Sequence, residues 1–219
     1  MLFNSIDFII FFVIILAIIS AIKYRKFQHV FLLTASYFFF YYSSNYLITL
    51  LIASTILDFY IGKAIWSSTN ITKKKILLSV SLAGNLGLLG FFKYADFAVT
   101  QFNLFGNHFN LTSQIPLLEL ALPIGISFYT FQTISYTVDI YRGHLTPSKT
   151  LKEFALFVAF FPQLVAGPIV RAKDFLPQLR EKIDKFETGT KIRQIIINES
   201  NLKFGITLMA FGFLKKIFL

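Results

Sequence analysis

The sequence predicts an all-α protein that crosses a membrane several times. Hydrophobic residues make up 55% of the 219 residues and charged residues only 15%, against roughly 45–50% and about 25% in soluble domains. Apolar runs of helical length recur along the chain, and basic residues collect beside their ends, as is typical of membrane helices. Composition also excludes a disordered chain, which requires low hydrophobicity and high charge.

The apolar runs predict an ordered series of membrane segments. The first run, 6–22, has no Lys or Arg before it and is followed by the basic stretch Lys23–Lys26. This order places the N-terminus outside and distinguishes the run from a cleaved signal peptide. The other predicted spans are 30–42, 46–62, 76–92 and 117–140, with a last apolar run at 202–219. Pro123 and Gly125 break the run 117–140 near its start.

Three local patterns refine this series. The aromatic run Tyr37–Tyr42 predicts an interfacial belt before a turn at Ser43–Asn45. Three glycines spaced three apart within 76–92 predict a face for close helix packing; they are Gly84, Gly87 and Gly90. The mixed segment 93–116 predicts an extracytoplasmic or interfacial stretch, with an amphipathic helix as one form.

The apolar run 154–170 predicts a re-entrant hairpin instead of a span. Basic residues flank both of its ends, including Lys152 before it and Arg171 after it, so a single crossing would place one group on the wrong side. Pro162 and the pair Gly167-Pro168 interrupt a helix there. We therefore expect the run to enter and leave the membrane from the cytoplasmic face.

Charged and reactive residues exclude several classes of function. The positive charges behind the net charge of +10 lie in clusters beside apolar runs. They therefore predict how the chain is oriented in the membrane, and we expect no nucleic-acid binding. The chain has no cysteine, which excludes thiolate metal sites. Its three histidines are widely separated and predict no metal site; we expect His29 at the interface and His144 in solvent, and His108 is a minor candidate for a catalytic base.

Polar residues inside apolar runs are the other candidates for function. Asp58 is predicted to reach the interface or to pair with a basic group such as Lys63, and Asp139 to pair with Arg142 three residues later. Tyr129 and Gln132 share one helix face, for which structural hydrogen bonding and tunnel lining both stay open.

Two stretches, Leu122–Gly143 (beginning LPIGISFYTFQ) and Phe160–Arg171 (FFPQLVAGPIVR), together resemble the membrane-bound O-acyltransferase family. The similarity is to the bacterial branch of the alginate O-acetylation and D-alanyl teichoic-acid transfer proteins. The resemblance implies a helical bundle with a central tunnel, built partly from re-entrant segments, that moves an acyl group to a polysaccharide hydroxyl. The residues that we expect to shape the tunnel are Pro162, Gln163, Gly167, Pro168 and Arg171, with Tyr129 and Gln132 as weaker candidates.

The same resemblance implies what the chain lacks. The catalytic histidine of the family follows a Gly-x-x-Lys-Lys-like region, which here is Gly212–Lys216, and the sequence ends three residues later. We therefore transfer no catalytic residue and expect a C-terminally truncated, N-terminal part of such an enzyme, whose activity alone stays open. The alternative is a non-catalytic membrane partner, or half of a split polysaccharide-modification complex; a transporter is disfavoured because no inverted repeat is seen.

The resemblance also sets expectations for ligands and location. The acyl donor is expected as a substrate of the acyl-CoA or acyl-carrier-protein type, and no cofactor or metal is implied. The expected partners are the lipid bilayer and other polysaccharide-modification or export proteins. The expected location is the cytoplasmic (inner) membrane, with several crossings and an extracytoplasmic N-terminus.

Overall fold

The computed structural model describes residues 5–22, 25–109, 115–120, 125–164, 170–177 and 199–218, and these residues contain helices and no strand. The all-α class is therefore confirmed. The helical elements are, in order, α1 (Ile6–Ala21), α2 (Arg25–Ser44), a 3-10 turn (Asn45–Leu47), α3 (Ile48–Ser67), α4 (Ile71–His108), α5 (Ile126–Tyr141), α6 (Leu151–Ala159), α7 (Phe161–Leu164), α8 (172–177) and α9 (Glu199–Phe218).

The lengths and composition of these helices fit a membrane protein. Two helical stretches of the described chain, Phe27–Ser67 and Ile71–His108, are long and apolar enough to cross a bilayer. Ile6–Ala21 and Leu202–Gly212 are shorter apolar helices. The number of crossings and the re-entrant hairpin stay predictions.

Helix boundaries follow local backbone chemistry. Asn45 has a φ of +49° between α2 and α3, a left-handed conformation that Asn tolerates better than most residues, and the predicted turn lies there. Helix α4 begins at the cap Asn70, whose Oδ1 accepts the N–H groups of Thr72 and Lys73 at 2.9 and 3.3 Å.

Two predicted boundaries differ from the structure. The mixed segment after 92 continues α4 as far as His108, so its first part is helix in line with the preceding span. Helix α5 begins at Ile126 and not at 117, and residues 115–120 are not helical. Gly125, with a φ of +80°, precedes α5 and contacts the Leu164 backbone; a Cβ at Gly125 would overlap the Leu164 carbonyl oxygen.

The centre of the molecule is a packed group of four helices. Helices α3, α4 and α5 contact one another, and α6 contacts α2, α3 and α5. Tyr136 of α5 and Phe154 of α6 lie with ring centroids 4.2 Å apart, and Phe59 of α3 lies 6.3 Å from Phe154. These rings anchor a buried core that also holds Leu51 and Ile65.

Phenylalanine side chains form a second core between α1, α2 and α7. Phe161 of α7 lies 5.4 Å from Phe11 and 5.8 Å from Phe39 between ring centroids. Phe39 and Phe40 are thus buried inside the protein, and the interfacial role predicted for the whole run Tyr37–Tyr42 is wrong for these two. The reason is that a helix rotates each successive residue by about 100° around its axis, so six consecutive residues point in all directions and only part of the run faces outward.

Glycine is required at a position that the glycine spacing did not indicate. A Cβ at Gly62 of α3 would lie 2.7 Å from the Tyr136 ring and 2.9 Å from Ile140, so α3 and α5 approach each other closely there. In contrast, a Cβ at Gly87 or Gly90 would meet no atom of the described structure within 4 Å. The close packing predicted for these two glycines is not present in the described chain.

Candidate functional site

Helix α5 carries buried polar side chains on two faces, which contact different neighbours. Thr133 and Thr137 lie four residues apart on one face, and Tyr129, Gln132 and Tyr136 lie on the next face. The threonines form hydrogen bonds with α4, whereas Gln132 forms them with α6 and α7.

The first face completes a hydrogen-bonded group that we call the Asp58 cluster: Asp58, Ser81, Asn85, Thr133 and Thr137. Asp58 of α3 is 0% exposed. Its Oδ1 accepts the Ser81 hydroxyl at 2.6 Å, and its Oδ2 accepts the Asn85 amide Nδ2 at 2.7 Å. The Thr133 hydroxyl donates to Asn85 Oδ1 at 3.3 Å, and the Ser81 and Thr137 hydroxyls lie 3.1 Å apart. Three helices are thereby joined around one carboxylate.

This arrangement corrects the expected role of Asp58. The carboxylate forms no ion pair with Lys63, whose Nζ lies 4.4 Å from the Phe59 ring centroid instead. Residues five apart on a helix are separated by roughly 140°, so the two side chains point in different directions. A buried carboxylate whose two oxygens both accept hydrogen bonds stabilises the packing of its helices.

Sequence reasoning missed the partners of Asp58, although a signal was present. Ser81 and Asn85 are four residues apart in α4, as Thr133 and Thr137 are in α5. Small polar residues four apart share one helix face, and in an apolar helix such a face points to another helix more often than to lipid. The helix that they would meet could not be identified from spacing.

The second face of α5 meets the interrupted helix predicted from the Phe160–Arg171 motif. Gln132 Nε2 donates to Gln163 Oε1 at 3.1 Å and to the Phe157 carbonyl at 3.2 Å. We call Gln132 and Gln163 the glutamine pair. It joins two of the predicted tunnel residues, one from each sequence motif.

The helix break beside the glutamine pair occurs at Phe160, between α6 and α7. Pro162 lies in the first turn of α7. Backbone N–H groups in a first turn have no partner within the helix, so the missing N–H of proline costs no hydrogen bond there. The Phe161 N–H donates to Ser36 Oγ of α2 at 3.3 Å. The break therefore turns Gln163 towards α5 while its freed backbone donor is satisfied by another helix.

Tyr129 lies three residues before Gln132 and is 1% exposed. Its ring contacts Phe40 edge to face, with centroids 6.2 Å apart. Its hydroxyl has no hydrogen-bond partner among the residues that the structure describes. A buried hydroxyl without a partner costs free energy, so this group is the clearest open hydrogen-bonding position beside the glutamine pair.

The remaining tunnel candidates are not brought to this place by the described structure. Gly167 and Pro168 lie outside the described residues. Arg171 is exposed, and its carbonyl accepts the N–H groups of Asp174 and Phe175 at 3.0 and 3.1 Å. Arg171 thus directly precedes α8 and caps its first turn through its carbonyl, and its part in a tunnel stays a prediction.

The three histidines lie in separate elements. His108 is exposed at the end of α4 with its ring 5.5 Å from that of Phe109, and His144 is exposed after α5, as expected. His29 is buried near the start of α2, and its expected position at the membrane interface stays a prediction. In the portion described, no group of three or more His, Cys, Asp or Glu residues could hold a metal ion.

The carboxylate of Asp139 also departs from expectation. Asp139 is buried, while Arg142 is exposed and forms no ion pair with it. The helix end turns Asp139 inward, where its carbonyl accepts the His144 N–H at 2.9 Å. The Tyr136 hydroxyl accepts the Ser148 N–H at 3.1 Å, which ties the following loop to the same end of α5.

These features define a helical membrane protein with a satisfied carboxylate cluster and, beside a broken helix, a buried glutamine pair. Comparison with known proteins confirms the resemblance to the membrane-bound O-acyltransferase family that the two motifs carry. Over its whole length the chain is 34% identical to a probable alginate O-acetylase of Pseudomonas putida, of which it covers 42%. It is 33% identical over its whole length to the probable alginate O-acetylase of Pseudomonas aeruginosa, covering 40% of that protein.

A relative named for a different O-acetylation reaction is also similar. Over 77% of the chain, identity to the peptidoglycan O-acetyltransferase of Helicobacter pylori is 31%, and 34% of that protein is covered. The chain thus spans about two fifths or less of the length of these relatives. No family model matches the chain. No solved structure matches it.

Proposed function

We propose that this chain is part of a membrane O-acyltransferase that acetylates hydroxyl groups of a cell-surface or exported polysaccharide. The observation that carries the proposal is the whole-length similarity to alginate O-acetylases, together with the match to a peptidoglycan O-acetyltransferase. The common element of these names is O-acetyl transfer to a carbohydrate polymer, so the reaction class is better supported than any one polymer.

In this proposal, the glutamine pair and Tyr129 form the polar wall of the substrate passage. Amide and phenol groups supply hydrogen-bond donors and acceptors inside an apolar surrounding, which suits a sugar hydroxyl or an acyl carbonyl. Pro162 breaks the helix that carries Gln163, and the other motif residues would extend the same wall. They are Gly167, Pro168 and Arg171.

The acyl group would come from a donor of the acyl-CoA or acyl-carrier-protein type, without a metal or cofactor. Among the described residues, no histidine forms a hydrogen bond with the glutamine pair or with Tyr129. We therefore assign these side chains to binding and positioning, and no catalytic base is assigned. Polysaccharide-modification or export proteins are the proposed partners.

The alternative is a non-catalytic membrane partner, or one half of a split complex for polysaccharide modification. It is supported by the same lack of a histidine hydrogen-bonded to the glutamine pair or Tyr129. In this case the polar wall would bind a partner helix, and its individual side chains would affect assembly more than turnover.

The proposed setting is the cytoplasmic membrane, with several crossings, an extracytoplasmic N-terminus and a hairpin that enters from the cytoplasm. Basic residues beside the apolar runs support this topology. Because the chain has no cysteine, single cysteines placed at 147 and 173 can be labelled selectively from either side. Labelling of both from the cytoplasm supports the hairpin, and labelling from opposite sides overturns it.

Disruption of the encoding gene tests the function directly, with acetyl esters on surface and exported polysaccharides as the measurement. We expect the esters to fall and to be restored by the wild-type gene, but not by Gln132→Leu or Gln163→Leu. Gln101→Leu is the matched control, because Gln101 is exposed on α4. Unchanged esters after disruption would contradict acetylation, whereas restoration by every variant would favour the non-catalytic alternative.

A further inference from the structure

A groove of about 280 Å³ opens between α2, α3 and α6, away from the glutamine pair. Most of its lining is apolar, and its walls include Leu33, Tyr37, Ile52, Ile56, Leu151 and Lys152. The volume is close to the lower end of roughly 300–1,000 Å³ that is usual for ligand pockets. It suits a slender apolar chain better than a compact polar ligand.

The charge of the groove is concentrated in one residue. Lys152 alone among the lining residues carries a formal charge, and it forms no ion pair with an acid of the described chain. Tyr37 adds a hydroxyl that likewise makes no hydrogen bond to described residues, whereas the Thr55 hydroxyl already donates to the Leu51 carbonyl at 2.6 Å. The groove therefore offers one cation and one free hydroxyl to an otherwise apolar occupant.

The surroundings place this groove against lipid. Ile56 on its wall is 40% exposed, and Tyr60, one turn later on α3, is 61% exposed. Both lie in the stretch Phe27–Ser67, which is long and apolar enough to cross a membrane. Lys152 lies in the first turn of α6.

We propose that the groove binds an anionic phospholipid. One acyl chain occupies the apolar part, and the headgroup phosphate accepts hydrogen bonds from the Lys152 ammonium and the Tyr37 hydroxyl. A lysine at a membrane protein's surface attracts anionic headgroups, at about 1 kcal/mol for each basic residue near the membrane surface. This lipid is a bound structural ligand, and the proposal does not depend on acyl transfer.

The test is native mass spectrometry of the purified chain with phosphatidylglycerol or phosphatidylcholine added in equal amounts. We expect the wild type to retain phosphatidylglycerol in preference, and Lys152→Gln to reduce that preference about fivefold, the usual effect of one lysine at an anionic surface. Lys173→Gln is the matched control, because Lys173 is exposed and does not line the groove; it should retain the preference.

A second variant separates the groove from general charge attraction. Ile56→Trp fills the groove from its exposed edge, so it should reduce retention of phosphatidylglycerol while leaving the helical content unchanged by circular dichroism. Equal retention of both lipids by the wild type would overturn the proposal. So would equal effects of Lys152→Gln and Lys173→Gln, or unchanged retention by Ile56→Trp, which would indicate that lipid binds elsewhere or that protein covers the groove.

Discussion

The two polar faces of α5 differ in how completely their hydrogen bonds are made. In the Asp58 cluster, the carboxylate accepts from Ser81 and Asn85 and the surrounding hydroxyls have partners. On the other face, the glutamine pair shares one side-chain hydrogen bond, and the Tyr129 hydroxyl has no partner among described residues. On the Asp58 face the polar groups are hydrogen-bonded to one another, whereas on the Tyr129 face a buried hydroxyl stays available to a ligand.

This difference indicates which polar groups hold the helices together. A satisfied buried network contributes to stability and fixes helix packing, whereas an unsatisfied hydroxyl costs about 1–3 kcal/mol. Phenylalanine would avoid that cost at position 129. We infer that the Asp58 cluster is scaffold and that Tyr129 is retained for something it binds.

The largest effect on stability is expected at the centre of the Asp58 face. Asp58→Ala removes both acceptors and leaves the Ser81 hydroxyl and the Asn85 amide buried without them, so we expect the free energy of unfolding to fall by about 3 kcal/mol. The measurement is SDS-induced unfolding in mixed micelles. Asp7→Ala is the control, because Asp7 is exposed in the first turn of α1 and should cost less than about 1 kcal/mol. Equal losses in the two variants would contradict a scaffold role.

A glycine pair tests the close approach of α3 and α5 beside this cluster. In Gly62→Ala the new methyl group would lie 2.7 Å from the Tyr136 ring, so overpacking should lower the free energy of unfolding by about 1–3 kcal/mol. In Gly87→Ala the methyl group meets open space, and the gain in helix propensity should raise it by about 0.5–1 kcal/mol. Changes of the same sign in both variants would contradict the described packing.

The smallest effect on stability is expected at the glutamine pair. A double-mutant cycle with Gln132→Leu and Gln163→Leu should give a coupling energy of about 0.6 kcal/mol, the average for side-chain hydrogen bonds between membrane helices. The same unfolding assay measures it. A coupling of several kcal/mol would make this face part of the scaffold and remove the distinction between the two faces.

Local features of the fold could be predicted from sequence, and long-range ones could not. The all-α class, the turn at Asn45 and the interruption near Pro162 depend on neighbouring residues and composition, and each is present in the described structure. The predicted span 117–140 begins before α5 does, although the break predicted at Gly125 directly precedes the helix. The contact of Gly125 with Leu164 could not be predicted, because the two residues are distant in sequence.

The site was predictable to a similar extent. Gln132 and Gln163 were each named from their motifs, but their hydrogen bond depends on how α5 docks against α7. The two hydrogen-bond donors to Asp58 come from α4, and Gly62 is required because Tyr136 packs on it. Spacing within one helix shows which residues share a face, and only the packed structure shows what that face contacts.

The most direct test of the distinction is Tyr129→Phe, measured as acetyl esters on the host polysaccharide per amount of membrane-inserted protein. The change removes a hydroxyl with no described partner, so stability should not fall. Acetyl esters should fall about tenfold, the factor that corresponds to roughly 1.4 kcal/mol of lost hydrogen bonding to the reacting substrate. Tyr136→Phe is the matched control: it loses the hydrogen bond from the Ser148 N–H and should lower stability by about 1 kcal/mol while the esters per inserted protein stay unchanged. Wild-type esters in Tyr129→Phe would contradict an open, substrate-binding face on α5.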